Sequence, residues 1–478
     1  MALIIAGERS GVGKTTVTLA ILAALRQWQR SVQSFKVGPD YIDPMFHAHI
    51  TGRPCRNLDP VLTSESYVQQ CFARHSATAE YALVEGVMGL FDGASGSDDW
   101  ASTAHIARLL HLPILLVLDC SRLSRSVAAI VHGYRTFDPR LQLAGIVLNR
   151  VGSDRHLDLL KAALEPLQVP ILGVLKRDDA ITLPDRHLGL VPTAELPMLS
   201  TVIQQLANLG TTGFDWTPLL PLLRCEPPVT VQPPVQPSPN FSAPSPATAT
   251  PDHSPMPPRR LRIAVARDPA FSFYYADNLE LLTQLGADIV EWSPLQDERL
   301  PAQVSGLYFG GGFPEMFAAI LSANKPARQA VRTAIAAGMP TYAECGGLMY
   351  LTETLVDFDG NSWRMVGILP TTAQMGQRLT LGYRCAVAQY SGPLLPLQAQ
   401  VWGHEFHRSH LTTLPNAPLY HLWGYEGYPN GNPRDHGYEG WRQQQVHASY
   451  VHLHWGARPE IPARFLAHCD RFGQTQPS

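Results

Sequence analysis

Two stretches of this 478-residue chain combine residue types and spacing suited to chemistry. The first is Gly7-Glu8-Arg9-Ser10-Gly11-Val12-Gly13-Lys14-Thr15-Thr16, between a short apolar run and a helical pattern. Glycines in that setting let backbone N–H groups point at phosphates, and the helix start adds a favourable dipole. Gly11, Gly13, Lys14, Thr15 and Thr16 are the expected contacts to ATP, with Lys14 on the β and γ phosphates and the Thr15 hydroxyl on Mg2+. The second stretch is Thr341-Tyr342-Ala343-Glu344-Cys345-Gly346-Gly347. A thiol between an apolar strand and a helix, flanked by small residues, fits a nucleophile on a cramped turn. The positive end of the following helix would favour its thiolate. Backbone N–H groups of Gly346, Gly311 and Gly312 are expected to form an oxyanion hole.

Each site needs partners. Magnesium takes oxygen ligands, and ligands of open α/β sheets bind at the carboxyl ends of strands. Two acidic segments end strands in this way, Lys36-Val37-Gly38-Pro39-Asp40-Tyr41-Ile42-Asp43-Pro44 and Glu85-Gly86-Val87-Met88-Gly89-Leu90-Phe91-Asp92-Gly93. Asp40, Asp43, Glu85 and Asp92 can all face a γ-phosphate, and Asp40 and Glu85 are the expected metal ligands beside Thr15. Asn149 ends a later strand and is the candidate for the adenine. The thiol needs a base, and Ser449-Tyr450-Val451-His452-Leu453-His454 offers two histidines on one face of a strand. His404, His407 and His410 raise a metal site, but their strand-like surroundings favour a polar segment lining a cleft.

Strand candidates at 2–6, 34–37, 81–85, 114–119, 143–148 and 171–175 interleave with helical patterns at 14–27, 64–73, 103–110, 124–137 and 155–167. That alternation predicts a doubly wound parallel sheet. The pattern restarts at residue 261 and runs through a strand ending in Gly310-Gly311-Gly312 to the thiol turn, where 348–354 reads as helix. Antiparallel strands are expected later. Between the halves, twelve of the 33 residues from Glu226 to Pro258 are proline, a composition that cannot offset the entropy of ordering. The fold class is therefore α/β: two doubly wound, mainly parallel-sheet domains, 1–225 and 259–478, joined by a Pro-rich linker, 226–258.

A formal net charge of −3 gives no basic field for nucleic acid. The apolar runs are too short to cross a bilayer. Seven scattered cysteines without a Cys-x-x-Cys pair point to a reducing cytoplasm.

With these residues in hand, the chain resembles the corrinoid amidases of the cobyrinate/cobyrate-type glutamine amidotransferase family. The resemblance rests on the two acidic segments, the phosphate loop, Ala270–Tyr275, Gly310–Glu315, Ala343–Gly347, Gly403–His407 and Ala448–His454. It implies a P-loop, dethiobiotin synthetase-like N-terminal domain and a class I-like glutamine amidotransferase domain. The loop's extra residue is shared with dethiobiotin synthetase-like proteins. The implied activity is ATP-dependent amidation of the a and c carboxylates of cobyrinate, through acyl phosphates, with ammonia from L-glutamine, in cobalamin biosynthesis. Hydrogenobyrinate and nickel-sirohydrochlorin are alternative acceptors, and a nucleotide-switched binding ATPase is the rival of another class. The resemblance assigns the nucleophile to Cys345 and its base to His452. Tyr41, Asp43 and Asp92, on the two acidic loops, are the expected contacts to the substrate. No nucleic-acid or membrane partner is implied, and a homodimer stays open. One departure stands out: ordinary class I enzymes carry His-Pro-Glu, whereas His452 is followed by Leu-His-Trp.

Overall fold

The computed structural model describes residues 2–96, 98–177, 185–186, 189–196, 198–225, 261–425 and 433–475. The proline-rich linker lies outside them. In the first half, β1 (Leu3–Gly7), β2 (Val32–Val37), β3 (Arg56–Leu58), β4 (Tyr81–Glu85), β5 (Ile114–Asp119), β6 (Leu143–Val151) and β7 (Ile171–Lys176) form one parallel sheet in the order β3-β2-β4-β1-β5-β6-β7. Alternate residues of β1 feed opposite faces. Leu3 and Ile5 join one core, while Ala2, Ile4 and Ala6 join the other. Each large aliphatic side chain buried this way contributes about 1.5–3 kcal/mol.

Helix α1 (Lys14–Gln27) starts at the phosphate loop and packs against the helix Leu199–Gly213. α2 (Ile42–Thr51) and α3 (Glu65–Ser76) follow β2 and β3. The loops leaving β1, β2 and β4 thus converge at one end of the sheet. No helix among the described residues is long and apolar enough to cross a membrane.

The second half holds a six-stranded sheet. Leu261–Ala266, Ala287–Trp292, Val304–Phe309, Thr341–Glu344 and Val446–Ser449 pair in parallel, and Trp441–Gln443 closes the edge antiparallel. A second, largely antiparallel sheet is built on the long strands Leu369–Ala388 and Gln400–Leu411. The helix after the thiol runs Gly346–Leu351, so only 348–351 of the expected 348–354 is helical; Thr352–Val356 is a strand, as its β-branched residues favour.

The halves are docked through a mixed seam. Arg56, 7% exposed, pairs with Asp277 at 3.3 Å and Glu280 at 2.7 Å. The Tyr67 hydroxyl donates to Asp277 at 2.9 Å, and the Tyr383 hydroxyl donates to Asp59 at 2.8 Å. Tyr41 of the first half stacks on Phe273 and lies tilted on Tyr275, with ring centroids at 5.3 and 4.4 Å. The first core therefore runs into the second domain, and the Ala270–Tyr275 segment has a structural role as the partner of Tyr41.

Candidate functional site

The phosphate loop bends through Gly11 and Gly13, at φ 76° and 98°. At Gly13 a side chain is doubly excluded, because a Cβ would lie 2.3 Å from Asn149 Nδ2. Asn149 instead donates to the Val12 carbonyl at 2.8 Å, which ties the end of β6 to the loop. Gly13, Thr16 and Asn149 line a cavity of about 420 Å³ with Arg177. Lys14 is buried and donates to the carbonyls of Met88 and Arg9. Burial, then the nearby Lys36 charge, lower its ammonium to about 8.

Beside the loop lies a carboxylate cluster around Lys36, whose side chain is 4% exposed. Its ammonium sits 2.5 Å from Asp43, 2.9 Å from Glu85 and 3.8 Å from Asp40. Thr15 donates to Glu85 at 2.7 Å and contacts Asp43 at 3.3 Å. Glu85 also meets His47 Nε2 at 2.7 Å. Burial opposes the charge on Glu85, yet Lys36 and His47 overcome it and hold this carboxyl below its usual range. Asp43 goes the other way, because burial and then the charge of Asp40 raise it well above the usual range.

Asp43, expected at the substrate, thus lies against Thr15 with Glu85, while Asp40 stands farther out and accepts from the Ile42 N–H at 2.8 Å. Asp92 caps its own turn, accepting from the Gly89 N–H at 2.9 Å. Lys36 and His47 were missed in the sequence. A lysine at the end of a strand that runs directly into Asp40 and Asp43 was the available signal.

A cavity of about 500 Å³ opens from this cluster between the domains. Asp40, Tyr41 and Asp43 line one side. The second domain supplies Phe273, Leu381, Tyr383, Arg384, His404 and Phe406. Three of the expected acidic and aromatic residues thus share a wall with side chains from the Leu369–Leu411 hairpin.

The thiol lies across the seam. Cys345 has φ 45°, a strained value for a non-glycine residue, and its N–H is held by the Ser449 carbonyl at 2.8 Å. The thiol is buried; burial and then the Glu315 carboxylate push it up, and the amide of Gly346 only partly offsets this. His452 follows the strand that pairs with Thr341–Glu344, and it lies opposite His404. A Cβ on Gly311 would fall 2.5 Å from His452 Cε1, and Gly312 packs its backbone N 3.1 Å from the Cβ position of Gly346. All three expected oxyanion glycines thus surround the thiol turn and its histidine.

His454 goes elsewhere. It faces Asp277 at 3.8 Å in the domain seam. His407 stacks on Tyr450 at 3.9 Å and meets the Ser409 carbonyl at 2.8 Å. Among the described residues, the metal-like grouping is Cys71, His75 and Asp277, not the 404–410 histidines, and Arg56 already pairs with Asp277 there.

Tyr41 connects the two centres. It lies between Asp40 and Asp43 in sequence, and its ring packs on that of His452 with centroids 5.1 Å apart.

Residues 3–191 match the CobQ/CobB/MinD/ParA nucleotide binding domain, and residues 262–460 match the CobB/CobQ-like glutamine amidotransferase domain. The chain is 59% identical over 471 residues to a cobyrinate a,c-diamide synthase of Synechococcus sp., covering 98% of this chain and 99% of that protein. It is 53% identical to a protein of the same name from Synechocystis sp., covering 99% and 94%. A hydrogenobyrinate a,c-diamide synthase of Streptomyces coelicolor is 42% identical, covering 98% and 97%.

Proposed function

The chain belongs to the cobyrinate a,c-diamide synthase family, and from that premise we propose that it amidates the a and c carboxylates of cobyrinate in cobalamin biosynthesis, using ATP and glutamine. The observation that carries this reading is Tyr41, which packs on His452 and lines one cavity with Asp40 and Asp43 of the carboxylate cluster. Relatives at 59% and 53% identity share the cobyrinate name, which favours the cobalt ring over the metal-free one.

The interdomain cavity is the proposed entry for the macrocycle. Its apolar side chains suit a flat ring, and Arg384, held by Glu405 at 2.6 Å, adds a positive charge to the wall. Oxide is a poor leaving group, so the ring carboxylate must be activated. Its oxygen attacks the γ-phosphorus of ATP, the bond to ADP breaks, and an acyl phosphate forms. Lys14 neutralises charge on the phosphates during this transfer. Ammonia then attacks the acyl carbon and phosphate leaves.

Thr15, Asp43 and Glu85, with Asp40 adjacent, form an all-oxygen set that fits Mg2+. Burial and the neighbouring Asp40 and Glu85 carboxylates disfavour the charged form of Asp43, and a divalent cation placed among them would favour it. When bound, the ion would supply charge neutralisation for the triphosphate.

Ammonia comes from the second domain. Cys345 gives its proton to His452 and attacks the glutamine side-chain amide. The C–N bond breaks as His452 protonates the leaving nitrogen, and water later releases glutamate from the thioester. The packing of Tyr41 on His452 in the docked seam would shorten the path ammonia takes between the two sites. The free thiol suits a reducing cytoplasm.

The test is product mass after incubation with ATP, Mg2+, glutamine and each candidate macrocycle. Two amidations on cobyrinate are the expected result. No change on any tetrapyrrole would defeat the assignment.

A further inference from the structure

We propose that Glu344, the residue just before the nucleophile, is the positioning residue for His452. This rests on the reading of Cys345 and His452 as a catalytic pair. Glu344 is 1% exposed. Its Oε1 accepts from the Leu453 N–H at 2.9 Å and from the Tyr342 hydroxyl, so the carboxylate is tied to the strand that carries His452. Its Oε2 lies 3.7 Å from His452 Nδ1, and that buried nitrogen has no hydrogen-bond partner among the described residues. The position two residues after His452 cannot do this work, because it holds His454, which turns to Asp277.

The strained turn at Cys345 explains how neighbours in sequence serve one site. In a regular strand Glu344 and Cys345 would face opposite sides. The chain leaves the strand at Cys345 with φ 45°, so the thiol and the carboxylate can flank the same imidazole.

The chemistry follows from the geometry. A carboxylate facing Nδ1 keeps the proton on that nitrogen and leaves Nε2 to accept. The Cys345 S–H bond breaks and an Nε2–H bond forms. The resulting imidazolium carries a positive charge toward Glu344 Oε2. The same proton then passes to the departing ammonia as the C–N bond breaks, and neutral imidazole returns. The other groups around the pair are His404 across the strand, Tyr41 from the first domain, and the Glu315 and Glu405 carboxylates near the thiol.

The test is Glu344→Gln, which keeps an oxygen for the Leu453 N–H and Tyr342. Glutaminase kcat is expected to fall by about 10²–10⁴-fold, by analogy with losing the carboxylate behind a catalytic histidine. KM for glutamine should stay within about twofold, and amidation with free ammonia should persist. The pH profile of Cys345 alkylation by iodoacetamide should move alkaline, because the imidazolium beside the thiolate loses its counter-charge. Glu344→Asp should recover part of the rate. An unchanged alkylation profile with kcat within about threefold of wild type would overturn the proposal. Collapse of ammonia-dependent amidation would overturn it too, by showing a purely structural role. In the wild-type control, glutamine must protect Cys345 from alkylation. Failure there would strike the underlying Cys345 reading instead.

Discussion

Replacing Lys36 with methionine tests the carboxylate cluster as an electrostatic device. The side chain is 4% exposed, and its charge lies 2.5 Å from Asp43 and 2.9 Å from Glu85. Methionine preserves volume, so the loss is of charge. Removing one partner of a buried ion pair costs about 3–5 kcal/mol, because the remaining charge is uncompensated. For a domain of this size that is about 6–20 °C in melting temperature. Glu85 is held below its usual range by Lys36, so its stabilising charge depends on the lysine. Without Lys36 the folded carboxyls shift upward relative to the unfolded chain. The penalty should therefore shrink as pH falls and the cluster takes up protons. Millimolar Mg2+ should restore part of the stability, since a cation at Thr15, Asp43 and Glu85 replaces the missing charge. The assay is thermal unfolding of wild type and Lys36→Met in chelator and in Mg2+, across pH 5–8. A variant as stable as wild type in chelator, or one indifferent to both Mg2+ and pH, would refute the reasoning.

Other expectations follow from the same geometry. Cys345→Ser should lose glutamine-dependent amidation and keep ammonia-dependent amidation, measured by product formation with each nitrogen source. Lys14, lowered to about 8, should lose charge above that pH, so ATP affinity should fall toward pH 9; Lys14→Arg should flatten that slope in a binding titration. Gly311→Ala should displace His452, because its Cβ would lie 2.5 Å from Cε1; glutaminase activity should drop by about 10²-fold with ATP binding intact. Burial raises Asp59 to about 6, against the lowering effect of its hydrogen bonds to Leu62, Tyr383 and Val61. A raised folded value means that stability falls as pH rises through about 4–6. Asp59→Asn should remove that slope and add up to about 3 kcal/mol above pH 6, read by denaturant unfolding.

What could be read from the sequence was local. A phosphate loop after a strand, and a cysteine on a Gly-flanked turn, carry their chemistry within ten residues. The strands followed for the same reason, since β1 is continuously apolar and bounded by glycine. Lys36 was hidden because its meaning depends on Glu85, 49 residues away. Phe406 and Leu381 read as ordinary strand residues, and only docking makes them a cavity wall. Tyr383 reaches Asp59 over 324 residues, a contact that no periodicity announces. Glu344 was concealed differently. Strand alternation places it away from Cys345, and the strained backbone at Cys345, φ 45°, is not announced by that alternation.

The central claim is that one chain activates a ring carboxylate at the Lys14 cluster and aminates it with nitrogen released at Cys345. The most direct measurement uses cobyrinate labelled with oxygen-18 in its carboxylates, together with amide-nitrogen-15 glutamine, and mass analysis of both corrinoid and phosphate. The account predicts one labelled oxygen in phosphate for every labelled nitrogen gained by the ring. Amidated ring with unlabelled phosphate would contradict the acyl phosphate and the division of labour built on it.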